Sequence, residues 1–154
     1  MAFTPDSVFY AVAGVHRRVI GAYAVVSLIT DKGVVAFRDP NGIRPLCYGH
    51  RIIDGKTETM IASESVALDS AGYTLERDIK PGEAIFIDID GNVHTRLCAK
   101  TNSFNPCIFE YVYFARPDSI IDGISVYKAR MNMGTALANN INKAFPNNDI
   151  DVVI

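Results

Sequence analysis

Arg38 and Arg44 flank Asp39-Pro40-Asn41-Gly42-Ile43, the sharpest turn signal in the chain. Two guanidinium groups on one tight loop could clamp a carboxylate or a phosphate as a fork. The same groups could instead bond the loop's own carbonyls and neighbouring acids, and with no acidic ligand implied nearby this second reading is favoured. Ser63-Glu64-Ser65 puts hydroxyls beside a carboxylate, which is a nucleophile pattern only if a base stands close. No histidine or lysine neighbours it in sequence. Helix capping explains both residue types, with Ser63 accepting an orphan amide and Glu64 facing the helix dipole. Asp78, Asp88 and Asp90 invite a cation, but they lack the spacing of a calcium-binding loop and read as turn acids. His94 stands alone on a hairpin strand and is expected to be exposed. His16-Arg17-Arg18 closes the first helical pattern, where cations complement the dipole. Cys47, Cys98 and Cys107 are odd in number and lack a CxxC spacing. That excludes a disulfide framework and indicates a reducing cytoplasm. None of these patterns assigns a residue a catalytic, cofactor-binding or metal-binding role.

The elements that must hold these groups are short. Thr4 is an N-cap, Pro5 suits a first turn and Asp6 faces the dipole of a helix whose apolar face is Val8, Val12, Val15 and Val19, ended by Gly21. Residues 22–29 form an apolar run read as a buried strand, and 34–37 return from the turn at 30–33. Further strands are expected at 46–49, 59–62, 74–79, 84–89 and 93–97, with turns at Asp54-Gly55-Lys56, Lys80-Pro81-Gly82 and Asp90-Gly91-Asn92. A short helix spans 65–70 and stops at Gly72. Residues 98–104 are polar and irregular and read as a linker, with a domain boundary near Asn102.

Beyond the linker the pattern changes. The β-branched and aromatic run 108–114 carries one charge, Glu110, and reads as a strand covered on both faces. Ala115-Arg116-Pro117 breaks it, and Asp122-Gly123 is a second turn. From Ser125 to about Lys143, Val126, Ala129, Met133, Leu137 and Ile141 recur at helical spacing. Phe145-Pro146-Asn147-Asn148 ends that helix, and 149–154 reads as a final apolar strand.

The whole chain of 154 residues, 49% of them hydrophobic, can fill one core or two partial ones. A net charge of −2 leaves no footprint for nucleic acid or an anionic membrane. No apolar run is long enough to span a bilayer, and the first residues lack a signal-peptide pattern.

The wording of several segments is more distinctive than their periodicity. FEYVYFARPDS leading into ISVYKARMNMG resembles the stretch of the amidophosphoribosyltransferase (glutamine phosphoribosylpyrophosphate amidotransferase) family that runs from the glutaminase domain into the phosphoribosyltransferase domain. VVAFRDPNGIRPLCYG, ASESVALDSAGY and DIKPGEAIFID are similar to the same family in the same order. The resemblance covers nearly the whole chain. It implies an α+β fold. Residues 1–101 would be the distal part of an αββα N-terminal-nucleophile glutaminase sandwich, and 102–154 the first strand, helix and strand of a phosphoribosyltransferase domain.

It also implies a parent that moves the amide nitrogen of glutamine onto 5-phosphoribosyl 1-pyrophosphate, giving 5-phosphoribosylamine at the start of purine synthesis. Such a parent needs Mg²⁺, assembles as a homo-oligomer and answers to purine nucleotides. The family hydrolyses glutamine with an N-terminal cysteine helped by its own amino group. This sequence opens Met1-Ala2-Phe3, and its acidic phosphoribosylpyrophosphate motif would follow Ile154. Both chemistries are therefore expected outside residues 1–154, and the chain alone is expected to be inactive. Some members carry an iron–sulfur cluster with one ligand positioned like Cys107. A [4Fe–4S] cluster takes four thiolates and this chain has three cysteines, so Cys107 is read as a buried free thiol. Two rivals are weighed: a related enzyme sharing only the glutaminase half, against which FARPDS and ISVYKARMNMG argue, and a stand-alone binding or structural module without chemistry.

Overall fold

The computed structural model describes residues 3–152. Helix α1, Pro5–His16, begins as its sequence predicts. Thr4 is extended, its hydroxyl accepts from Ser7 N at 3.3 Å, and Ser7 Oγ accepts from Thr4 N at 3.2 Å. Val8, Phe9 and Val12 are buried. The helix stops at His16, before Gly21, so Val19 leaves the predicted apolar face and lies 45% exposed.

Strands β1 (Ala24–Ile29), β2 (Gly33–Arg38), β6 (Glu83–Asp88) and β7 (Val93–Leu97) form an antiparallel sheet in the order β1-β2-β6-β7. Period-2 alternation splits its faces. Val35, Phe37, Ala84 and Phe86 pack on α1, while Ala36 and Ile85 pack with Leu46 and Ile79 on the opposite side. The second sheet, β4-β3-β5, is built from β3 (Cys47–Ile53), β4 (Lys56–Ala62) and β5 (Thr74–Asp78). Its Tyr48 and Ile61 face the first sheet. Gly49 is adjacent to Tyr48 and faces the other way, where a Cβ would stand 3.1 Å from Leu68 Cδ1. Leu68 is the fully buried residue of helix α2, Ser65–Ser70. The layers therefore run α1, sheet, sheet, α2. Gly49→Ala should destabilise the chain by roughly 1–3 kcal/mol, because its Cβ would meet the Thr74 carbonyl oxygen at 2.3 Å across the β3–β5 pair. A thermal melt with no shift would refute that close approach.

Strand β1 departs from the buried strand expected of its composition. It is an outer strand with Val25 and Ile29 packed on the α1 side, whereas Val26 and Leu28 are 55% and 76% exposed.

The largest departure lies at 108–114. This run is helical and ends in a π turn, Glu110–Phe114, with Ala115 N donating to Glu110 O at 2.8 Å. Among the described residues no strand lies beside it to pair with, and side chains from elsewhere satisfy its backbone. Arg130 Nε donates to Tyr111 O at 2.7 Å and Arg130 Nη2 to Ala115 O at 2.8 Å. Tertiary hydrogen bonding overrides the strand propensity of aromatic and β-branched residues. Only Glu110 and Tyr111 of the turn are buried.

Asp122 (φ 50°) and Gly123 (φ 74°) make the type I′ turn of a two-residue hairpin, β8 (Ile120–Ile121) and β9 (Ile124–Ser125), which sequence showed only as a turn. Helix α3, Val126–Ala144, follows, with the Ser125 hydroxyl accepting from Lys128 N at 3.3 Å. Val126, Ala129 and Met133 pack with Tyr111, Ala115 and Ile121, as their spacing predicts, but Leu137 is 61% exposed. Residues 149–152, expected as strand, are irregular and exposed; Val153 and Ile154 lie outside the described residues. A strand needs a partner edge, and none stands beside them among the described residues.

Candidate functional site

The Arg38–Arg44 loop is the most heavily built polar feature of the chain. Asp39, fully buried, accepts from Asn41 N at 2.9 Å, from Ile43 N at 3.1 and 3.0 Å through its two oxygens, and from Arg44 N at 3.0 Å. This carboxylate folds the loop around itself. Arg38 is 1% exposed and uses its whole fork. Nε donates to Arg44 O at 2.6 Å, Nη1 to Ile79 O at 2.9 Å and Nη2 to Gly42 O at 2.9 Å. Nη1 and Nη2 also grip both oxygens of Asp122 at 2.7 and 2.8 Å. Burial alone would lower the Arg38 pKa, but the Asp122 carboxylate holds it above the ordinary guanidinium value. Arg44 Nη1 reaches Glu110 at 2.6 Å. Both arginines thus serve carbonyls and acids of the chain itself, the reading favoured from sequence. The acids come from residues far along the sequence.

Ser63-Glu64-Ser65 belongs to the same joint. Glu64 is the N-cap residue of α2, yet its side chain makes no capping bond. The expected dipole role is replaced by a tertiary one. Glu64 Oε2 accepts from Arg116 N at 2.8 Å and from Ser119 Oγ at 2.7 Å, and Ser65 Oγ accepts from Ile120 N at 2.8 Å. The irregular segment after β7 is stitched to the arginine loop as well. Ser103 N donates to Pro40 O at 2.9 Å and Asn105 N to Asn41 O at 2.8 Å. The expected linker is irregular but anchored. Sequence missed Asp39 and Asp122 as binding partners, because each reads as a turn former; only the buried depth of their arginine and amide partners marks them.

The remaining candidates do not converge. Asp88 accepts from Asp90 N at 3.0 Å and Asn92 N at 2.9 Å, which makes it a turn acid, and its pKa falls to about 2 through its bonds with His94 and Asn92. His94 bonds Asp88 at 3.0 Å and stacks on Phe86, so it is half-buried rather than exposed. Burial raises the Asp78 pKa, and Asp78 shares no metal-binding cluster with the others. Arg18 Nη1 donates to Gly14 O at 3.0 Å at the helix end, as a cation near the dipole should. His16 turns inward instead: Nδ1 lies 2.8 Å from the Tyr23 hydroxyl, and the ring stacks on Tyr23 and meets Phe37 edge-on. The three histidines pair with Tyr23, Glu76 and Asp88, which leaves none bonded to a serine or cysteine nucleophile.

Burial lowers the His16 pKa below 6.5. The folded state therefore binds this proton less readily than the unfolded one. Its contribution to stability is full above pH 6.5 and is lost as pH falls through the folded value. His16→Gln should flatten the slope of stability against pH below 6.5; urea melts from about pH 5 to about pH 7, the range where histidine titrates, check it. An unchanged slope would refute the assignment.

The cysteines do not assemble a cluster. Cys47 is buried, its Sγ donates to Ala62 O at 3.4 Å, and burial pushes its pKa up to about 12. Burial raises the Cys98 pKa too. Thiolate ligation needs the opposite. Cys107 is a free thiol but half-buried, not fully buried as expected. Among the described residues no three His, Cys, Asp or Glu side chains are grouped to hold a metal. No helix among them is long and apolar enough to cross a membrane.

The chain matches a contiguous stretch of several curated proteins. It is 58% identical to the amidophosphoribosyltransferase of Pseudomonas aeruginosa over 151 residues, covering 98% of this chain and 30% of that protein. Over that stretch the chain belongs to the amidophosphoribosyltransferase family. The Escherichia coli amidophosphoribosyltransferase is likewise 58% identical over 150 residues, and that of Saccharomyces cerevisiae 49% over 153. The fold agrees. Glutamine phosphoribosylpyrophosphate amidotransferase from B. subtilis, solved with ADP and GMP, superposes with a TM-score of 0.74 at 36% identity, covering 90% of this chain and 28% of that one. No family model matches the chain. The chain spans about 30% of the length of the curated amidophosphoribosyltransferases it matches.

Proposed function

We propose that this chain is the joint segment of an amidophosphoribosyltransferase, the enzyme that transfers the amide nitrogen of glutamine to 5-phosphoribosyl 1-pyrophosphate and so yields 5-phosphoribosylamine. The observation that carries this reading is 58% identity sustained over 98% of the chain. Residues 1–101 then contribute to the glutaminase domain and 102–154 to the start of the transferase domain, and the polar clamp of Arg38, Arg44 and Glu64 docks one on the other. Glutamine, phosphoribosylpyrophosphate with Mg²⁺, and purine nucleotides are bound by the assembled enzyme through groups other than those described here. The assembly is a cytoplasmic homo-oligomer. The chain by itself performs neither reaction, because no nucleophile–base pair is built among its described side chains.

The test is a chimaera in which this chain replaces the matching segment of the E. coli enzyme. Glutamine-dependent phosphoribosylamine formation within about tenfold of the parent, corresponding to about 1.4 kcal/mol, is expected. A folded chimaera with no such activity would overturn the reading. Steady ammonia release from glutamine by residues 1–154 alone would overturn the claim that the chain lacks chemistry.

A further inference from the structure

We propose that a proton on Asp78 governs the joint: with the proton in place the β8–β9 hairpin seats on the sandwich, and its loss to solvent loosens that contact. The inference stands on the charges within this chain and does not depend on the enzymatic reading.

The cations at the joint are all committed elsewhere. A guanidinium has five N–H groups. Those of Arg38 go to the carbonyls of Arg44, Ile79 and Gly42 and to both oxygens of Asp122. None is left for Asp78, which precedes Ile79, closes β5 opposite Cys47 and is half-buried. Arg77 beside it gives both terminal nitrogens to Glu83, and Arg44 is held by Glu110. Among the described residues no lysine, arginine or histidine pairs with Asp78.

The surroundings of Asp78 add no further cation. Asp39 and Asp122 act on the same guanidinium. Asp39 is answered by the amides of its own loop, and Asp122 by Arg38. From α2, Glu64 and Asp69 act together with Asp78 on the Cys47 thiol. Burial keeps that thiol and the Tyr111 phenol neutral. Asp78 is therefore the acid left over, and a half-buried carboxylate without a cation is relieved by taking up a proton. Burial raises its pKa and the Asp122 charge adds to this, while the Asp122 amide and the Arg38 charge offset it only in part.

Position makes this proton a latch. Asp78 belongs to the sandwich and Asp122 to the turn of the hairpin. When Asp78 ionises, two carboxylates face one guanidinium, and their repulsion acts across the joint. The folded state binds this proton more readily than the unfolded chain. Its stabilisation is full below pH 3.8 and is lost as pH rises through the folded value.

Carboxyl-carbon NMR of the wild-type chain should show Asp78 titrating above pH 3.8. In urea melts Asp78→Asn should lower the unfolding constant about threefold or more at about pH 7, with the gain fading as pH falls toward about 4. Hydrogen exchange should place that gain in residues 107–144. Asp122→Asn should instead lose stability, and it should bring the Asp78 midpoint down because the like charge is gone. Asp69→Asn removes an exposed acid of α2 and should leave the unfolding constant at wild type. An Asp78 carboxyl that titrates at or below pH 3.8 overturns the proposal, and this reading needs no variant to fold. So does an Asp78→Asn chain no more stable than wild type at about pH 7, or an equal gain from Asp69→Asn.

Discussion

Asp122→Ala should cost about 3–5 kcal/mol, the range for removing one partner of a buried ion pair. Arg38 is 1% exposed, and both its terminal nitrogens bond Asp122. Truncating the carboxylate leaves a buried guanidinium charge with only three carbonyls around it, from Arg44, Ile79 and Gly42. In a chain of this length the melting temperature should fall by roughly 10 °C. Hydrogen exchange locates the effect. The amides of 107–144 should lose protection first, while those of β2 and β6 keep theirs, since Asp122 belongs to the β8–β9 hairpin and Arg38 to the sandwich. Arg38→Met should be at least as damaging, because it orphans the three carbonyls together with Asp122. The double variant should cost less than the sum of the two singles, as partners in one contact do. Strict additivity, or uniform loss of protection across the chain, would show that the pair does not hold the joint.

Asp39→Ala should be nearly as severe. The carboxylate is fully buried and accepts from three backbone amides, those of Asn41, Ile43 and Arg44. These three amides are partly buried; a fully buried amide left without an acceptor costs about 1–3 kcal/mol, so a combined loss of roughly 2–3 kcal/mol is expected. Asp39→Asn should rescue little, because its amide group turns N–H donors toward N–H donors. The second readout is proteolysis. The anchored segment at 98–105 hangs on Pro40 and Asn41 through Ser103 and Asn105, so an unfolded loop should release it to cleavage. A variant with wild-type urea midpoint and an uncut 98–105 segment would refute the role given to Asp39.

Much of this was legible in the residues. Local rules act over a few positions, so they sufficed wherever the cause was local. Thr4-Pro5-Asp6 predicted the start of α1, Ser125 the start of α3, and Asp122-Gly123 a turn that is type I′. The turn at 30–33 located β2 as its return strand and the partly alternating apolar run 84–89 located β6, the strands buried on both faces at the centre of the sandwich. The wording of FEYVYFARPDS and its companion segments pointed to the amidophosphoribosyltransferase family, which the curated relatives support.

Tertiary structure alone decided the joint. Sequence places Arg38 and Arg44 on one loop, but whether they hold a ligand or the chain's own acids depends on Asp122 and Glu110, brought to them by the fold. Residues 108–114 have strand propensity and become a helical turn because Arg130 binds the carbonyls of Tyr111 and Ala115 and, among the described residues, no strand stands beside it to pair with. The 22–29 run is as apolar as a central strand, yet its position at the end of the sheet leaves one face open. Residues 149–152, the described part of the run expected as a final strand, are irregular, with no partner edge beside them among the described residues. Local sequence sets which conformations are cheap; hydrogen-bond partners supplied from distant residues set which of them is occupied.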